Sequence, residues 1–259
     1  MMDKRKRNWL ALAIVGTLAG MSLQGSVHAA EADGEEASHQ LSETVVEAER
    51  SRLAGGLVER RENIGLLGAK DIMETPFQAM TFGKKALDQF SVPDRTILDT
   101  LSLSPAVRVG RGATDSNVTI RGLSSNGNQW YINGVPGMAH QKDMTANFVE
   151  SVTVIAGPAL GVRGTTAGWQ ENAGGVVDMI SKKASSEGDR EAKLSFSGKS
   201  YVSQAVDVGE RFGKNKEWGA RFNVMQGQGT LSVDHARMWK WGVYLNLDHK
   251  TDTSTTNLL

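Results

Sequence analysis

Apolar and polar positions follow two different patterns along this chain. In the stretch 117–181, apolar residues come in short runs that are rich in β-branched residues and are bounded by glycine. Such runs are typical of short strands joined by tight turns. They predict four strands, at Asn117–Arg121, Gln129–Ile132, Ser151–Ala156 and Gly175–Ser181. Asn133-Gly134 predicts a tight turn between two of these runs, because both residue types tolerate a positive φ.

Two short helices are expected before these strands. Lys84–Phe90 and Arg95–Leu103 have helical spacing, and the second segment places Ile97, Leu98 and Leu101 on one face. Pro105 follows the second segment and prevents its continuation. Together with the short strands, these helices predict an α+β domain with a small mixed sheet and short helices.

From Glu191 onward the period changes to two, which is the period of longer strands. One face of these strands is apolar and aromatic and the other is mostly polar. The apolar face contains Trp218, Ala220, Phe222 and Val224, and later Trp241, Val243, Leu245 and Leu247. A transmembrane β-barrel shows this alternation, with apolar side chains facing lipid, but a soluble β-sandwich alternates likewise. Strand length and alternation, together with the signal peptide that we expect at residues 1–29, favour the barrel.

The N-terminus has the three parts of a secretory signal peptide. Lys4–Arg7 is basic, Trp9–Leu23 is mostly apolar, and Val27-His28-Ala29 offers small residues at the cleavage positions. We therefore expect residues 1–29 to be a signal peptide. The alternative, a membrane-spanning helix, is disfavoured because the apolar stretch is shorter than the ~20 residues that a span requires.

Composition excludes several classes of function. Removal of residues 1–29 takes away four of the 29 basic residues and one of the 29 acidic residues. The remaining chain then has 25 basic and 28 acidic residues. This balance is unlike that of a nucleic-acid-binding protein. There is no cysteine, and the five histidines lack metal-ligand spacing. The glycine-rich segments match neither nucleotide-binding motif and no nucleophile elbow is present, so we expect no enzymatic activity and no cofactor.

The order of the motifs resembles that of the plug domain of TonB-dependent outer-membrane receptors, and most closely that of the siderophore-receptor branch. The landmarks are IRGL, the NG turn, VESVTVIAGPAL and GGVVDMISKK, with NIGLLGAKDIMETPFQAMTFGKKALDQF and DTLSLSPAVRV before them and VDVGERFGKNKEWGARFNV after them. The resemblance extends from about Leu41 to Leu259. One position departs from the family pattern: Ala156 precedes Gly157-Pro158, where the family usually has a basic residue.

The resemblance implies a domain order. After the signal peptide it predicts a flexible tail (30–47), a plug domain (48–184) and the start of a transmembrane barrel (185–259). Within the tail, Glu43, Thr44, Val45 and Val46 resemble the TonB box, the segment that binds TonB in the periplasm. An extended peptide of this kind can add as a strand to an exposed sheet edge. The alternative is that this segment is simply the first strand of the plug.

The resemblance also implies which plug residues contact a ligand. Three loops are expected to face outward, containing Arg111, Ala113 and Thr114, then Asn126, Gly127 and Asn128, then Met138, Ala139 and His140. Arg111 can pair with the anionic chelating groups of a siderophore. Gln129, Trp130 and Tyr131 are expected to supply amide and aromatic contacts nearby. For each residue the alternative is a role in local structure alone.

The implied function is TonB-dependent import of ferric siderophores across the outer membrane, with TonB, the ferric siderophore and outer-membrane lipid as partners. Residues 185–259 are long enough for about four barrel strands, whereas outer-membrane barrels have at least about eight. We therefore expect an N-terminal fragment of a longer receptor. Two alternatives stay open: import of haem, cobalamin or an oligosaccharide by the same machinery, and a truncated plug that does not transport.

Overall fold

The structure is a computed structural model that describes residues 52–63, 69–71, 74–75, 77–91, 97–110, 118–125, 130–136, 138, 145–157, 174–251 and 255–258. All of these residues belong to one compact unit. They form an N-terminal domain, which contains strands β1–β12, and a C-terminal sheet, which contains strands β13–β17.

The N-terminal domain is built on a seven-stranded mixed sheet with the order β1-β2-β5-β11-β12-β9-β10. Its strands are β1 (Arg52–Leu53), β2 (Val58–Glu59), β5 (Gln78–Phe82), β9 (Tyr131–Ile132), β10 (Val135–Pro136), β11 (Val149–Ala156) and β12 (Gly175–Ser181). Only the β12–β9 pairing is parallel. Two small antiparallel sheets accompany it: β3 (Arg61–Asn63) with β4 (Ala69–Asp71), and β6 (Val107–Val109), β7 (Val118–Ile120) and β8 (Leu123–Ser125).

The described residues of this domain also include two short α-helices, α1 (Lys84–Phe90) and α2 (Leu98–Leu101), and the 3₁₀ turns Ala54–Gly56 and Ala146–Phe148. The apolar side chains of Ile97, Leu98 and Leu101 are buried in its core, as their spacing predicts. Within the described part of the chain, no α-helix is both long enough and apolar enough to span a membrane.

The C-terminal sheet is antiparallel, and its strands pair in chain order. They are β13 (Asp189–Ser197), β14 (Tyr201–Phe212), β15 (Trp218–Thr230), β16 (Arg237–Lys250) and β17 (Thr255–Leu258). The structure therefore has five strands where the sequence predicts about four, because β17 forms a short pairing with the end of β16.

The two faces of this sheet differ as the alternation predicts. On β15 the side chains of Trp218 and Phe222 are exposed, whereas Arg221 and Asn223 are buried. On β16 Trp241, Val243 and Leu245 are exposed, and Asn246 is buried. The apolar face is thus open, and the polar face is covered by the N-terminal domain.

The predicted elements of the N-terminal domain recur with small shifts. Helix α1 has the predicted bounds, and β12 does as well. Strand β11 begins two residues earlier than predicted, because Val149 already pairs with Ser181. Helix α2 is shorter than the predicted Arg95–Leu103; residues 95 and 96 lie outside the described part, and the chain leaves the helix after Leu101 in a series of turns.

The predicted Asn133-Gly134 turn is confirmed, with φ values of 52° and 78°. Glycine is also required at the start of β12. A Cβ at Gly174 would collide with the carbonyl oxygen of Ile120, and one at Gly175 would collide with that of Ile155. The double glycine therefore permits β7 and β11 to approach the first residues of β12 closely.

Candidate functional site

Most of the predicted site residues lie outside the described residues. This applies to Glu43, Thr44, Val45 and Val46 of the predicted TonB box, and to Arg111, Ala113, Thr114, Asn126, Gly127, Asn128, Gln129, Ala139 and His140 of the predicted ligand loops. Their roles stay predictions. Trp130, Tyr131 and Met138 are described.

Trp130 and Tyr131 are core residues of the N-terminal domain. Trp130 is fully buried, and its indole N–H donates to Ser125 Oγ at 3.0 Å. Tyr131 is 1% exposed and packs in a cluster with Ile155 and Val176. Met138, in contrast, is 47% exposed. The first two rings therefore support the domain from within, and ligand contact by all three residues stays a prediction.

The best-defined polar site lies where the N-terminal domain meets the C-terminal sheet. We call it the buried seam: the Ala146–Phe148 turn and residues 181–184 of the N-terminal domain, packed on the polar face of β14, β15 and β16. Its centre is Asp207 on β14, which is 5% exposed. Lys182 Nζ donates to Asp207 Oδ2 at 3.0 Å, and Arg221 on β15 donates from Nε and Nη2 at 2.7 and 2.8 Å.

This arrangement satisfies a carboxylate that has been removed from water. A bidentate arginine–carboxylate pair matches the geometry of both groups, and Lys182 adds a second cation. The surplus positive charge faces Asp189, which lies 3.1 Å from Arg221 Nη1. Because a buried charge is costly unless it is paired and hydrogen-bonded, each member of this group depends on the others.

Two arginines of the C-terminal sheet also bind the backbone of the connecting segment. Arg221 Nη1 donates to the carbonyl oxygen of Lys183 at 2.7 Å, and Arg211 Nη1 donates to that of Ala184 at 3.1 Å. Arg211 is held in turn by Asp248, 2.8 Å away. The chain that leaves β12 is therefore tied to the C-terminal sheet through its main chain as well as through Lys182.

Ser181, the last residue of β12, joins a turn of the N-terminal domain to β16. Its hydroxyl oxygen accepts from Asn246 Nδ2 at 2.6 Å and from Asn133 Nδ2 at 2.9 Å. Its backbone N–H donates to Asn133 Oδ1 at 2.9 Å. Asp178 Oδ1 accepts from the backbone N–H of Gly134 at 3.1 Å. The Asn133-Gly134 turn is thus held against the end of β12, next to β16 of the C-terminal sheet.

The Ala146–Phe148 turn forms the other half of the buried seam. The rings of Phe148 and Tyr244 stack with centroids 4.4 Å apart. Asn147 Nδ2 donates to the sulfur of Met225 at 3.2 Å. In the amide orientation that satisfies both of its polar atoms, Asn223 donates to Asp207 and to the carbonyl oxygen of Asn147. Because Val149 pairs with Ser181, both halves of the seam belong to adjacent ends of β11 and β12.

A second contact, which we call the exposed seam, joins α1 to β13. Lys84 pairs with Asp88 at 2.7 Å and with Glu191 at 3.4 Å, and Lys193 pairs with Asp88 at 3.3 Å. These four side chains are 39–41% exposed. Exposed ion pairs of this kind contribute little, typically about 0–1 kcal/mol each.

Burial alone would raise the pKa of the Asp88 carboxyl. The hydrogen bond from Lys84 and the positive charges of Lys84 and Lys193 have the opposite and larger effect, so the pKa of Asp88 lies below its ordinary value. The stabilisation from Asp88 is therefore complete above the ordinary aspartate pKa. It is lost as the pH falls through the lowered value of the folded state.

Sequence reasoning missed both seams. The alternation marks Arg221, Asn223 and Asn246 as polar and inward-facing, but it does not say what they contact. Lys182 and Lys183 directly follow β12 and are the last two residues of the GGVVDMISKK landmark. Nothing local distinguishes Lys182, which is buried against Asp207, from its neighbour Lys183.

Comparison with known proteins agrees with this architecture. Residues 71–168 match the family described as TonB-dependent receptor plug domain. The ferrichrome receptor FcuA of Yersinia enterocolitica is 26% identical over 227 residues, which is 83% of this chain and 30% of that receptor.

Solved structures agree as well. BauA, the ferric preacinetobactin receptor of Acinetobacter baumannii, superposes with a TM-score of 0.71 at 27% identity, over 78% of this chain and 30% of its own. The pyoverdine outer-membrane receptor FpvA of Pseudomonas aeruginosa shares the fold, with a TM-score of 0.65 at 16% identity over 78% of this chain and 29% of its own. The chain thus spans about 30% of the length of these relatives. By its plug match, its fold and its relatives, the chain is similar to the N-terminal part of TonB-dependent receptors.

Proposed function

We propose that this protein acts in the TonB-dependent import of ferric siderophores across the outer membrane. The observation that carries the proposal is the seating of a plug domain on the polar face of a sheet whose opposite face is apolar and exposed. Two relatives at 26–27% identity are named as receptors for ferrichrome and for ferric preacinetobactin.

The apolar face of the C-terminal sheet has the dimensions of a membrane-spanning band. Trp218, next to His249, marks one end, and Trp239, which pairs with Gln228, marks the other. Trp218 and Gln228 are ten residues apart on β15, or roughly 33 Å along the strand at about 3.3 Å per residue. At a strand tilt of about 40° this corresponds to roughly 25 Å, the height of the apolar band between the aromatic girdles of outer-membrane barrels.

The chain's own residues supply recognition and coupling in this proposal. The three predicted loops bind the ferric siderophore, with Arg111 pairing with its anionic groups. The TonB box, Glu43–Val46, adds as a strand to TonB, and the resulting force rearranges the plug. The energy comes from the inner-membrane proton gradient, delivered through TonB.

The tail provides the test of coupling. Val45→Pro removes a backbone donor from the predicted TonB box and should abolish uptake of the ferric siderophore by the intact receptor while ligand binding is retained. The matched control is Ala37→Pro, in the acidic stretch before the box, which should transport normally. Both are measured as accumulation of radioactive iron in cells with and without TonB. Normal uptake by the Val45→Pro variant would contradict the assignment.

The ligand class needs a separate measurement. Purified intact receptor would be titrated with ferric hydroxamate and catecholate siderophores, haem and cobalamin, and tryptophan fluorescence would report binding. Saturable binding of a ferric siderophore supports the proposal. Binding of haem or cobalamin alone would replace the siderophore with that ligand and leave the TonB-dependent mechanism in place.

A further inference from the structure

The N-terminal domain is attached to the C-terminal sheet unequally on its two sides. At the buried seam, Lys182, Asp207 and Arg221 are less than one-tenth exposed and share several hydrogen bonds. At the exposed seam, Asp88 and Lys193 are about 40% exposed, and their charged ends are 3.3 Å apart. Water therefore competes for the ion pair at the exposed seam, whereas it is excluded from the ion pairs at the buried seam.

The unequal attachment coincides with the order of elements along the chain. The first described strand after the predicted tail is β1, which is connected to the rest of the sheet through β2. Strand β2 pairs with β5 at two positions, Val58 with Phe82 and Glu59 with Thr81. Strand β5 leads through Gly83 into α1. A force on the tail therefore reaches α1 through a short path, whereas β11 and β12 are joined by a long ladder and are anchored at the buried seam.

A polar groove already separates the two sides. It lies between the N-terminal domain and strands β13–β15, and its lining includes Asp88, Glu191, Lys193, Ser195, Ser203 and Lys182. Charges of both signs and hydroxyl groups line it, which suits a hydrated, charged cargo. Widening it requires α1 to leave β13, and the groove's other end is held closed by Lys182 and Asp207.

We infer that the exposed seam is the release point of the plug and that the buried seam is its pivot, so that the passage opens between α1 and strands β13–β14. This inference rests on the proposed import function. It assigns to Lys84, Asp88, Glu191 and Lys193 the role of a weak latch, and to Lys182, Asp207 and Arg221 the role of a fixed anchor.

The chain contains no cysteine, so pairs of introduced thiols can be cross-linked selectively within it. In the intact receptor, Asp88→Cys with Lys193→Cys would be bridged across the exposed seam by a short, reducible bis-thiosulfonate reagent. Ser181→Cys with Asn246→Cys, which replace side chains 2.6 Å apart at the buried seam, would be joined by a reducible disulfide that forms while the receptor folds, as the matched control. A second exposed-seam pair, Lys84→Cys with Glu191→Cys, replaces the first if that variant is not recovered in the outer membrane.

Cross-linking the exposed seam should leave siderophore binding unchanged and lower iron uptake by about tenfold or more, because a conformational step has been blocked. Reduction of the cross-link should restore uptake. Cross-linking the buried seam should leave uptake within about twofold of the reduced form, because the pivot does not move. Full uptake with the exposed seam cross-linked, or an equal block from the buried seam, would overturn the inference. Absence of TonB-dependent uptake in every reduced variant would instead contradict the proposed function.

Discussion

Among single residues, Asp207 is central to the contact between the N-terminal domain, which we call the plug, and the C-terminal sheet β13–β17, which we call the wall. Its two carboxylate oxygens receive three hydrogen bonds from one lysine of the plug and one arginine of the wall, and Asn223 of the wall donates to it as well. The lysine, Lys182, follows the last plug strand directly, so the carboxylate fixes the point at which the chain passes from plug to wall. Removal of the carboxylate charge would leave Lys182 and Arg221 buried without this counter-charge, with Asp189 still 3.1 Å from Arg221.

We therefore predict that Asp207→Asn destabilises the intact receptor by about 3–5 kcal/mol, the cost of breaking a buried ion pair by removing one partner. The measurement is the free energy of unfolding in denaturant, followed by tryptophan fluorescence. The control is Glu210→Gln on the same strand, whose partner Arg190 is 84% exposed at 4.0 Å. That change should cost less than about 1 kcal/mol. Similar midpoints for the two variants would show that Asp207 does not anchor the plug.

Arg111 is the residue on which ligand recognition depends most in the proposed function. It follows Val109, the last residue of β6, and Gly110 at the start of a predicted ligand loop. A charge-assisted hydrogen bond from its guanidinium to a siderophore should contribute about 1.5–3 kcal/mol.

Arg111→Ala should accordingly weaken ferric-siderophore binding by roughly 10- to 100-fold, since each ~1.4 kcal/mol is tenfold. Arg108→Ala is the matched control, because Arg108 donates to backbone carbonyl oxygens of its own segment. Affinity and unfolding temperature are measured for both variants. Unchanged affinity with a lower unfolding temperature for Arg111→Ala would assign that residue to plug structure.

At the scale of elements, strands β15 and β16 each have one exposed face and one face that packs against the plug. Their outward positions are apolar and exposed, and their inward positions contact the plug through Arg221, Asn223, Tyr244 and Asn246. Because side chains alternate along a strand, a shift of one residue would exchange the two sets. The alternation thus specifies both the exposed apolar surface and the surface that contacts the plug.

This dual role leads to a prediction about depth in the membrane. Val243 lies near the middle of the apolar band and Gln228 near its edge, and both face outward. Val243→Arg should destabilise the receptor by about 2–4 kcal/mol, and Gln228→Arg by about 0–1 kcal/mol. The measurement is the free energy of unfolding in lipid vesicles, with outer-membrane yield as a second readout. Equal costs for both variants would mean that this face does not meet lipid at these depths.

At the scale of the whole molecule, the plug is a sheet with a strong centre and a weak N-terminal edge. Strands β11 and β12 pair along seven positions and carry buried apolar residues such as Val152, Val154 and Val177. Strands β1 and β2 pair at two positions. Local opening should therefore require much less free energy at the edge than at the centre.

Native-state hydrogen exchange on the intact receptor tests this distribution. Amides of β11 and β12 should exchange slowest within the plug, whereas those of β1, β2 and α1 should exchange orders of magnitude faster, as expected for sub-global opening. The wall strand β15 is an internal reference for slow exchange, because both of its edges are paired. Equal protection of all plug strands would contradict the division into a strong centre and a weak N-terminal edge.

Much of this structure follows from the sequence because the signals are local. The Asn133-Gly134 turn, the bounds of α1 and β12, and the alternation on β15 depend on backbone preferences and on neighbours a few residues away. The resemblance to plug domains also rests on the order of such local landmarks.

The tertiary structure alone decided which polar residues meet. Lys182 and Asp207, or Ser181 and Asn246, are far apart in the chain, and their contact depends on how the plug sheet lies on the wall. Packing within the N-terminal domain buries Trp130 and Tyr131, which were expected to contact ligand: the Trp130 indole donates to Ser125, and the Tyr131 ring packs with Ile155 and Val176. Periodicity tells which face a side chain occupies, but the partner that covers this face is set by long-range packing, which no local pattern records.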